Sequence, residues 1–172
     1  MKVEPIHGAL AVILGLTMAA SASAQPGFSG DWRPSGSEAE RDARYAAIDR
    51  ATESLNVFVR GAARGRIRSA TQPPPLLRVT DQGVRVTFGA NGRNVTLPTD
   101  GTPTEVSGER GSGVMTVRRD GERLVVTARG ENGVNTTVYR LSEDGRRLLL
   151  DVRLESERLG APVRYRVTFV RQ

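Results

Sequence analysis

The sequence predicts a mainly β protein: an antiparallel up-and-down meander of eight to nine strands that closes on itself, with one N-terminal amphipathic helix. Three observations predict it. From Leu76 onward, apolar and polar residues alternate with a period of two. Turn signals separate the alternating runs at short intervals, and their Asn-Gly and Asp-Gly pairs supply the positive φ angles of tight hairpins. No helix-length gap divides the runs, which disfavours parallel crossovers. A meander this long removes its exposed edges by closing.

The chain opens on an expected secretory leader. Lys2 gives a basic start, an apolar run extends from Ala9 to Ala20, and Ala22-Ser23-Ala24 supplies a small-x-small cleavage pattern. Residues 1–24 are therefore the expected signal peptide. The run is shorter than the roughly 20 apolar residues that span a bilayer, and no later segment is apolar enough to cross one. No cysteine follows the small residues, which excludes a lipid anchor there. Residues 25–172 read as a single domain, exported to the periplasm or secreted, and large enough to hold a core without disulfides.

A short extended segment, Gln25 to Pro34, comes next, with Gly27, Gly30 and Pro34 bracketing Phe28 and Trp32. A helix is expected at about 38–64. Ser37 fits an N-cap, with Glu40 reaching back in a capping box. Ile48, Ala51, Leu55, Phe58, Val59 and Ala62 recur at helical spacing. Acidic residues near its start and Arg60 and Arg64 near its end suit the helix dipole. Gly61 and Gly65 weaken the last turns. The polar face carries both charge signs, so the apolar stripe reads as packing on the protein's own core. Pro73-Pro74-Pro75 forbids helix and forms a stiff extended spacer.

The strands follow. Val84, Val86 and Phe88 alternate with Arg85 and Thr87. Leu148, Leu150, Val152 and Leu154 alternate with Leu149, Asp151 and Arg153. Val163, Tyr165, Val167 and Phe169 alternate with Arg164, Arg166 and Thr168. Each run has one wet face. Turns are expected at Gln82-Gly83, Asn91-Gly92, Asp100-Gly101, Asp120-Gly121, Asn132-Gly133 and Asp144-Gly145.

Composition excludes much chemistry. The only His is His7 and the only Lys is Lys2, both in the leader, and Cys is absent. Residues 25–172 thus lack the base of a Ser-His-Asp or Ser-Lys site, the thiolate of a cysteine nucleophile, and the usual ligands of zinc or copper. No metal site, cofactor or catalytic residue is expected. Glu143-Asp144, Asp120 and Glu122 fall in turns and read as solvated. Asp100 lacks the spaced carboxylates of a calcium loop. Asn94-Val95-Thr96 and Asn135-Thr136-Thr137 match a glycosylation pattern and read as ordinary strand residues.

Removing Lys2 and Glu4 from totals of 25 basic and 19 acidic residues leaves 24 and 18, still +6. Every remaining basic residue is arginine. The arginines are spread along the chain without a block of like charges, and cross-strand pairs with Asp151 and Glu155 offset much of the repulsion. A single-strand nucleic-acid binder needs aromatics on the arginine face. Here Phe88, Tyr165 and Phe169 share the apolar parity, so no nucleic-acid partner is expected.

Phe28 and Gly30-Asp31-Trp32 resemble the Gly-x-Trp that opens the first strand of lipocalins, and Tyr139 to Gly145 is similar to a strand-turn pattern of bacterial exported lipocalin-like proteins. The resemblance implies a lipocalin-like (calycin-type) barrel in which Trp32, with Gly30, plugs one end and a late-strand arginine packs across it. Arg164, Arg166 and Arg171 are all candidates. The helix departs from that pattern, since it interrupts the chain after the first strand. The resemblance also implies a small-ligand cavity, for which Phe88, Tyr139, Tyr165 and Phe169 are the candidate binding residues.

Two functions follow as expectations. One is a non-enzymatic exported protein that binds a small hydrophobic or amphipathic ligand inside the barrel. A barrel filled by its own side chains is the equal alternative to a cavity. The other is an envelope module that binds anionic surfaces or a partner protein through surface arginines. A carboxylate-based hydrolase is the weakest of the readings.

Overall fold

The computed structural model describes residues 27–108 and 111–172; the expected signal peptide at 1–24 lies outside the described residues. The elements in chain order are β1 (Gly30–Pro34), α1 (Glu38–Ala51), α2 (Val57–Ala70), β2 (Leu77–Asp81), β3 (Arg85–Ala90), β4 (Arg93–Pro98), β5 (Thr104–Gly108), β6 (Gly111–Asp120), β7 (Arg123–Gly130), β8 (Gly133–Leu141), β9 (Arg147–Glu155) and β10 (Val163–Arg171). All paired strands are antiparallel in one sheet of order β4-β3-β2-β1-β10-β9-β8-β7-β6-β5. The sheet has ten strands rather than eight to nine. The difference is largely β1, which the helices separate from the rest of the sequence but which pairs with both β2 and β10.

β4 and β5 end the sheet without pairing, and a strap between them bridges one end of the gap, leaving the barrel nearly closed. Thr99 N donates to Val84 O at 3.0 Å, Gly101 N to Val117 O at 2.8 Å, and Arg119 N to Thr99 O at 3.1 Å. Asp100 forms an isolated bridge with Arg118. The expected turn at Asp100-Gly101 is thus this strap rather than a hairpin. Asn91-Gly92 is a hairpin of the expected kind: both residues have positive φ, 50° and 75°, the requirement of a type I′ turn.

The single helix expected at 38–64 is corrected to two. Thr52 ends α1, and its Oγ1 donates to Ile48 O at 2.9 Å. Asn56 then caps α2, accepting from Phe58 N at 3.0 Å. Side chains that bond locally to the backbone compete with helix propagation, and here the pair Thr52 and Asn56 breaks the run. α2 then continues through Gly61 and Gly65 to Ala70. The apolar stripe breaks with it: Ile48 and Ala51 are buried, whereas Phe58 is 90% exposed.

The capping box is also corrected. Ser37 accepts from Glu40 N at 3.2 Å as expected, but the Glu40 carboxylate reaches β10 instead, accepting from Thr168 N at 3.1 Å and Thr168 Oγ1 at 2.6 Å. β1 pairs with β10 only as far as Pro34↔Phe169. α1 covers the stretch of β10 beyond it, and Glu40 satisfies a backbone donor there.

Candidate ligand-binding site

The registers define which residues face the barrel interior. Trp32 opposes Leu77 and Arg171; Val79 opposes Phe88, and Phe88 opposes Val95. Met115 opposes Ala128, Ala128 opposes Asn135, and Leu124 opposes Tyr139. Because side chains alternate along a strand, these pairs and their i±2 neighbours share one face. That face is graded from end to end.

One end is dry and plugged. Trp32, Phe169, Leu97, Leu124, Leu148, Val86 and Val117 are fully buried or nearly so. Trp32 Nε1 donates to Phe28 O at 3.0 Å. The Arg171 guanidinium lies over the Trp32 ring, 4.3 Å from its centroid. It donates to Ser29 O at 2.5 Å, Gly27 O at 2.9 Å and Gly145 O at 3.2 Å, tying the N-terminal segment and the β8–β9 turn across the plug. Gly30 fits here for two reasons: its φ is +149°, and a Cβ would meet Arg171 Nη1 at 2.7 Å. A cleft of about 770 Å³ lies outside the plug, but Arg119, Glu122, Arg123, Arg140 and Glu143 line it. Asp81 also lines it and holds Arg119 at 2.7 Å. Those side chains suit water better than an apolar ligand.

The other end is open. Phe88, Val95, Val106, Met115 and Ala128 face inward yet keep accessible surface, and Asn135 is exposed although it shares their face. A cleft of about 670 Å³ occupies this mouth, bounded by Val95, Val106, Met115 and Ala128 on the wall and by Ala70 and Pro73 at the end of α2, with Arg93, Arg129, Ser107 and Ser112 also lining it. Beneath it, Phe88 and Tyr139 meet with ring centroids 5.1 Å apart at 39°. β8 supplies a neutral polar strip, Asn135, Thr137 and Tyr139, at alternate positions; Thr137 Oγ1 donates to Asn135 Oδ1 at 3.5 Å. Burial pushes the Tyr139 phenol well above its ordinary pKa. The hydroxyl is therefore a neutral donor at physiological pH.

α1 covers the remaining part of the mouth. Ala47, Ile48 and Ala51 pack on Val163, with Leu154 and Tyr165 against the cluster. Burial pushes the Tyr165 phenol up to about 12, with the nearby Arg44 charge opposing the shift. α2 has no buried residue. Polar contacts hold it to α1: Asp49 pairs with Arg64 at 3.2 Å and Arg68 at 3.0 Å, and Arg68 stacks over the Tyr45 ring at 4.7 Å. No helix among the described residues is long and apolar enough to cross a membrane, and no group of metal-ligating side chains occurs among them.

The four candidate residues do not form one cluster. Phe88 and Tyr139 touch each other below the mouth. Tyr165 bridges the main core and the cluster under α1. Phe169 is 1% exposed, opposite Leu148 and Pro34, within the plugged end. Among the three arginines left open, Arg171 is the one that packs on Trp32. Sequence reasoning missed Asn135 and Thr137, whose strand lacks a clean apolar alternation.

No family model matches the sequence, and no curated protein does. Solved structures match its fold. Lipid binding protein 8 of Caenorhabditis elegans has a TM-score of 0.52 at 13% identity, covering 84% of this chain and 95% of that one. Fatty-acid-binding protein 1 of Echinococcus granulosus has a TM-score of 0.50 at 14% identity, covering 84% and 96%. An abundant heat soluble (SAHS) protein of Ramazzottius varieornatus has a TM-score of 0.55 at 11% identity, covering 84% and 95%. At these identities the likeness is one of fold: an antiparallel β-barrel like that of the fatty-acid-binding proteins.

Proposed function

We propose that the protein is a non-catalytic carrier that takes a small hydrophobic or amphipathic ligand through the open end of its barrel. The carrying observation is the graded interior: one end is sealed by Trp32 and Arg171, while the other keeps inward apolar side chains accessible around a cleft of about 670 Å³. A volume of that size suits a single small ligand. The barrel fold shared with lipid- and fatty-acid-binding proteins supports the reading. The apolar tail would lie along Val95, Met115 and Ala128 above the Phe88–Tyr139 pair, and the neutral polar strip of β8 would meet a hydroxyl or carbonyl group. Tyr165 would contact the ligand from beneath α1.

Native mass spectrometry of protein recovered from its own host tests this, together with uptake of a fluorescent fatty-acid probe. Co-purifying lipid and saturable uptake at one site are expected. Absence of both would remove the carrier reading.

We propose further that residues 1–24 direct export, leaving a protein that begins at Gln25 in the periplasm or the medium. N-terminal sequencing of the fractionated protein tests the cleavage position.

A second reading is docking on an anionic lipid surface. Val57, Phe58 and Val59, exposed in succession at the start of α2, favour it, as does the exposed Arg66 on the same helix, which carries no acidic residue. Apolar side chains beside arginines suit insertion at a charged interface. Binding to anionic vesicles should then fall steeply with added salt, and uncharged vesicles should not bind.

A further inference from the structure

The strand registers sort the charged side chains of the barrel. Positions that share a face with Trp32, Phe88, Met115 and Tyr139 point inward. Among the described strand residues, the charged ones on that face stand at its two ends. Asp81 and Arg119 pair at 2.7 Å in the cleft outside the plug, and Arg171 lies over Trp32. Arg93 stands at the open rim, opposite Ala90. Arg129 also borders the mouth, but its neighbours Ala128 and Gly130 take the inward positions. Between plug and rim the inward side chains of the described strands are uncharged.

The polar groups of that middle zone gather on one wall. Thr137 and Tyr165 oppose Val152 from either side, so they stand in one row across β8, β9 and β10. Tyr139 lies two residues along β8 from Thr137, and its ring meets Phe88 of β3 across the barrel. Asn135 extends the strip toward the mouth, opposite the cleft residue Ala128. Thr137 Oγ1 donates only over 3.5 Å, to Asn135 Oδ1. The Tyr139 and Tyr165 hydroxyls have no hydrogen-bond partner among the described residues. Buried hydroxyls without partners are unfavourable, and a ligand oxygen in that row would supply the acceptor.

A carboxylate or phosphate in the same place would meet no free opposite charge. Arg44 donates to Thr71 O and lines the crevice between α1 and β10, which Glu38 and Glu40 also border. Burying an unpaired ionised group costs far more than burying a hydroxyl or carbonyl. The reverse orientation, with a charged head at the rim, would set methylene groups against the tyrosine hydroxyls.

We propose that the barrel selects an uncharged amphipath, a long-chain alcohol or carbonyl compound bound oxygen-first against the wall of Thr137, Tyr139 and Tyr165, with its chain running out past Val95, Met115 and Ala128. The proposal rests on the carrier reading and narrows it to one class of ligand.

The test measures displacement of the uncharged dye Nile red from the whole folded chain by dodecanol, dodecanoate and dodecane. At pH about 7.4, dodecanol should bind about tenfold or more tighter than dodecanoate. Dodecanoate should gain affinity as pH falls toward about 5 and its head takes up a proton, while dodecanol should not. Tyr139→Phe should weaken dodecanol about threefold or more, and should weaken dodecane less. Asn135→Arg, which adds a cation to the exposed end of the strip, should narrow or reverse the preference for the alcohol. Should that variant not fold, the pH series and Tyr139→Phe decide. Dodecanoate binding as tightly as dodecanol at neutral pH would overturn the proposal and leave the carrier standing. If the dye and all three ligands fail to bind, both fall.

Discussion

Arg171 lies 4.3 Å over the ring of Trp32 and donates to three backbone carbonyls around it. The guanidinium is stacked and hydrogen-bonded at once, a role lysine cannot fill. Arg171→Lys should therefore destabilise nearly as much as Arg171→Ala. A loss of about 2 kcal/mol is expected from the cation–π contact and the charged hydrogen bonds together. Urea denaturation followed by Trp32 fluorescence checks both variants, and a neutral Arg171→Lys would show that positive charge alone holds the plug.

Gly30 is bound to the same arrangement. Gly30→Ala places a methyl group 2.7 Å from Arg171 Nη1 on a backbone with φ of +149°. Strain at such a position is of order 1–3 kcal/mol. The variant should lose stability comparable to that of Arg171→Ala, and the double variant should lose less than the sum, because the arginine that clashes is gone.

Glu40 joins α1 to the barrel by accepting two hydrogen bonds from Thr168. Glu40→Ala should cost about 1–3 kcal/mol, since it strands a half-buried backbone N–H. Ile48→Ala, in the apolar cluster on Val163, should cost about 2–5 kcal/mol. Chemical denaturation of the two single variants measures both.

Asp49 holds α2 by pairing with both Arg64 and Arg68, and all three side chains are roughly 35–41% exposed. Pairs this exposed contribute under about 1 kcal/mol each. Asp49→Asn should therefore leave global stability nearly unchanged while speeding hydrogen exchange along α2, and high salt should reproduce the effect in the unaltered chain.

Asp151 predicts a pH dependence. Burial raises its pKa, but the Arg166 hydrogen bond at 2.7 Å, with Arg166 and Arg140 charge, outweighs burial, and the carboxyl is held below its ordinary value. A depressed folded-state pKa contributes stability that is present above the unfolded value of about 4 and is lost as pH falls through the lower folded value. The stability gap between the unaltered chain and Asp151→Asn should thus be constant from about pH 5 to 8 and close below about pH 4. Partial exposure keeps the gap small. Urea midpoints across pH give the answer.

Much of the fold was legible because period-two alternation and Asn-Gly turns are local signals. Val86 to Phe88, Leu148 to Leu154 and Val163 to Phe169 stand within strands, whereas Val84 precedes β3 and is 77% exposed, and the Trp32 plug followed from a tripeptide in its expected place. The helix break was not legible, since Ala51, Leu55, Phe58 and Val59 continue a helical spacing across it. Only the exposure of Phe58, a tertiary property, shows that the stripe has ended. Glu40 misled for a related reason: a capping box and a bond to a distant strand begin from the same residue. The placement of the candidate residues was legible only in part. Phe88 and Tyr139 were named and do meet below the mouth. Phe169 shares their apolar parity but lies at the plugged end, because parity assigns a face and says nothing of depth along the barrel.

The central claim is that ligand enters the open end and stops above the sealed one. Backbone amide NMR during titration with a fatty-acid or fatty-alcohol ligand tests it most directly. The account predicts shifts concentrated at Val95, Met115, Ala128 and Asn135, with Leu97, Val117 and Leu148 nearly still. Shifts confined to the plugged end or to the outer arginines, with the mouth silent, would contradict it.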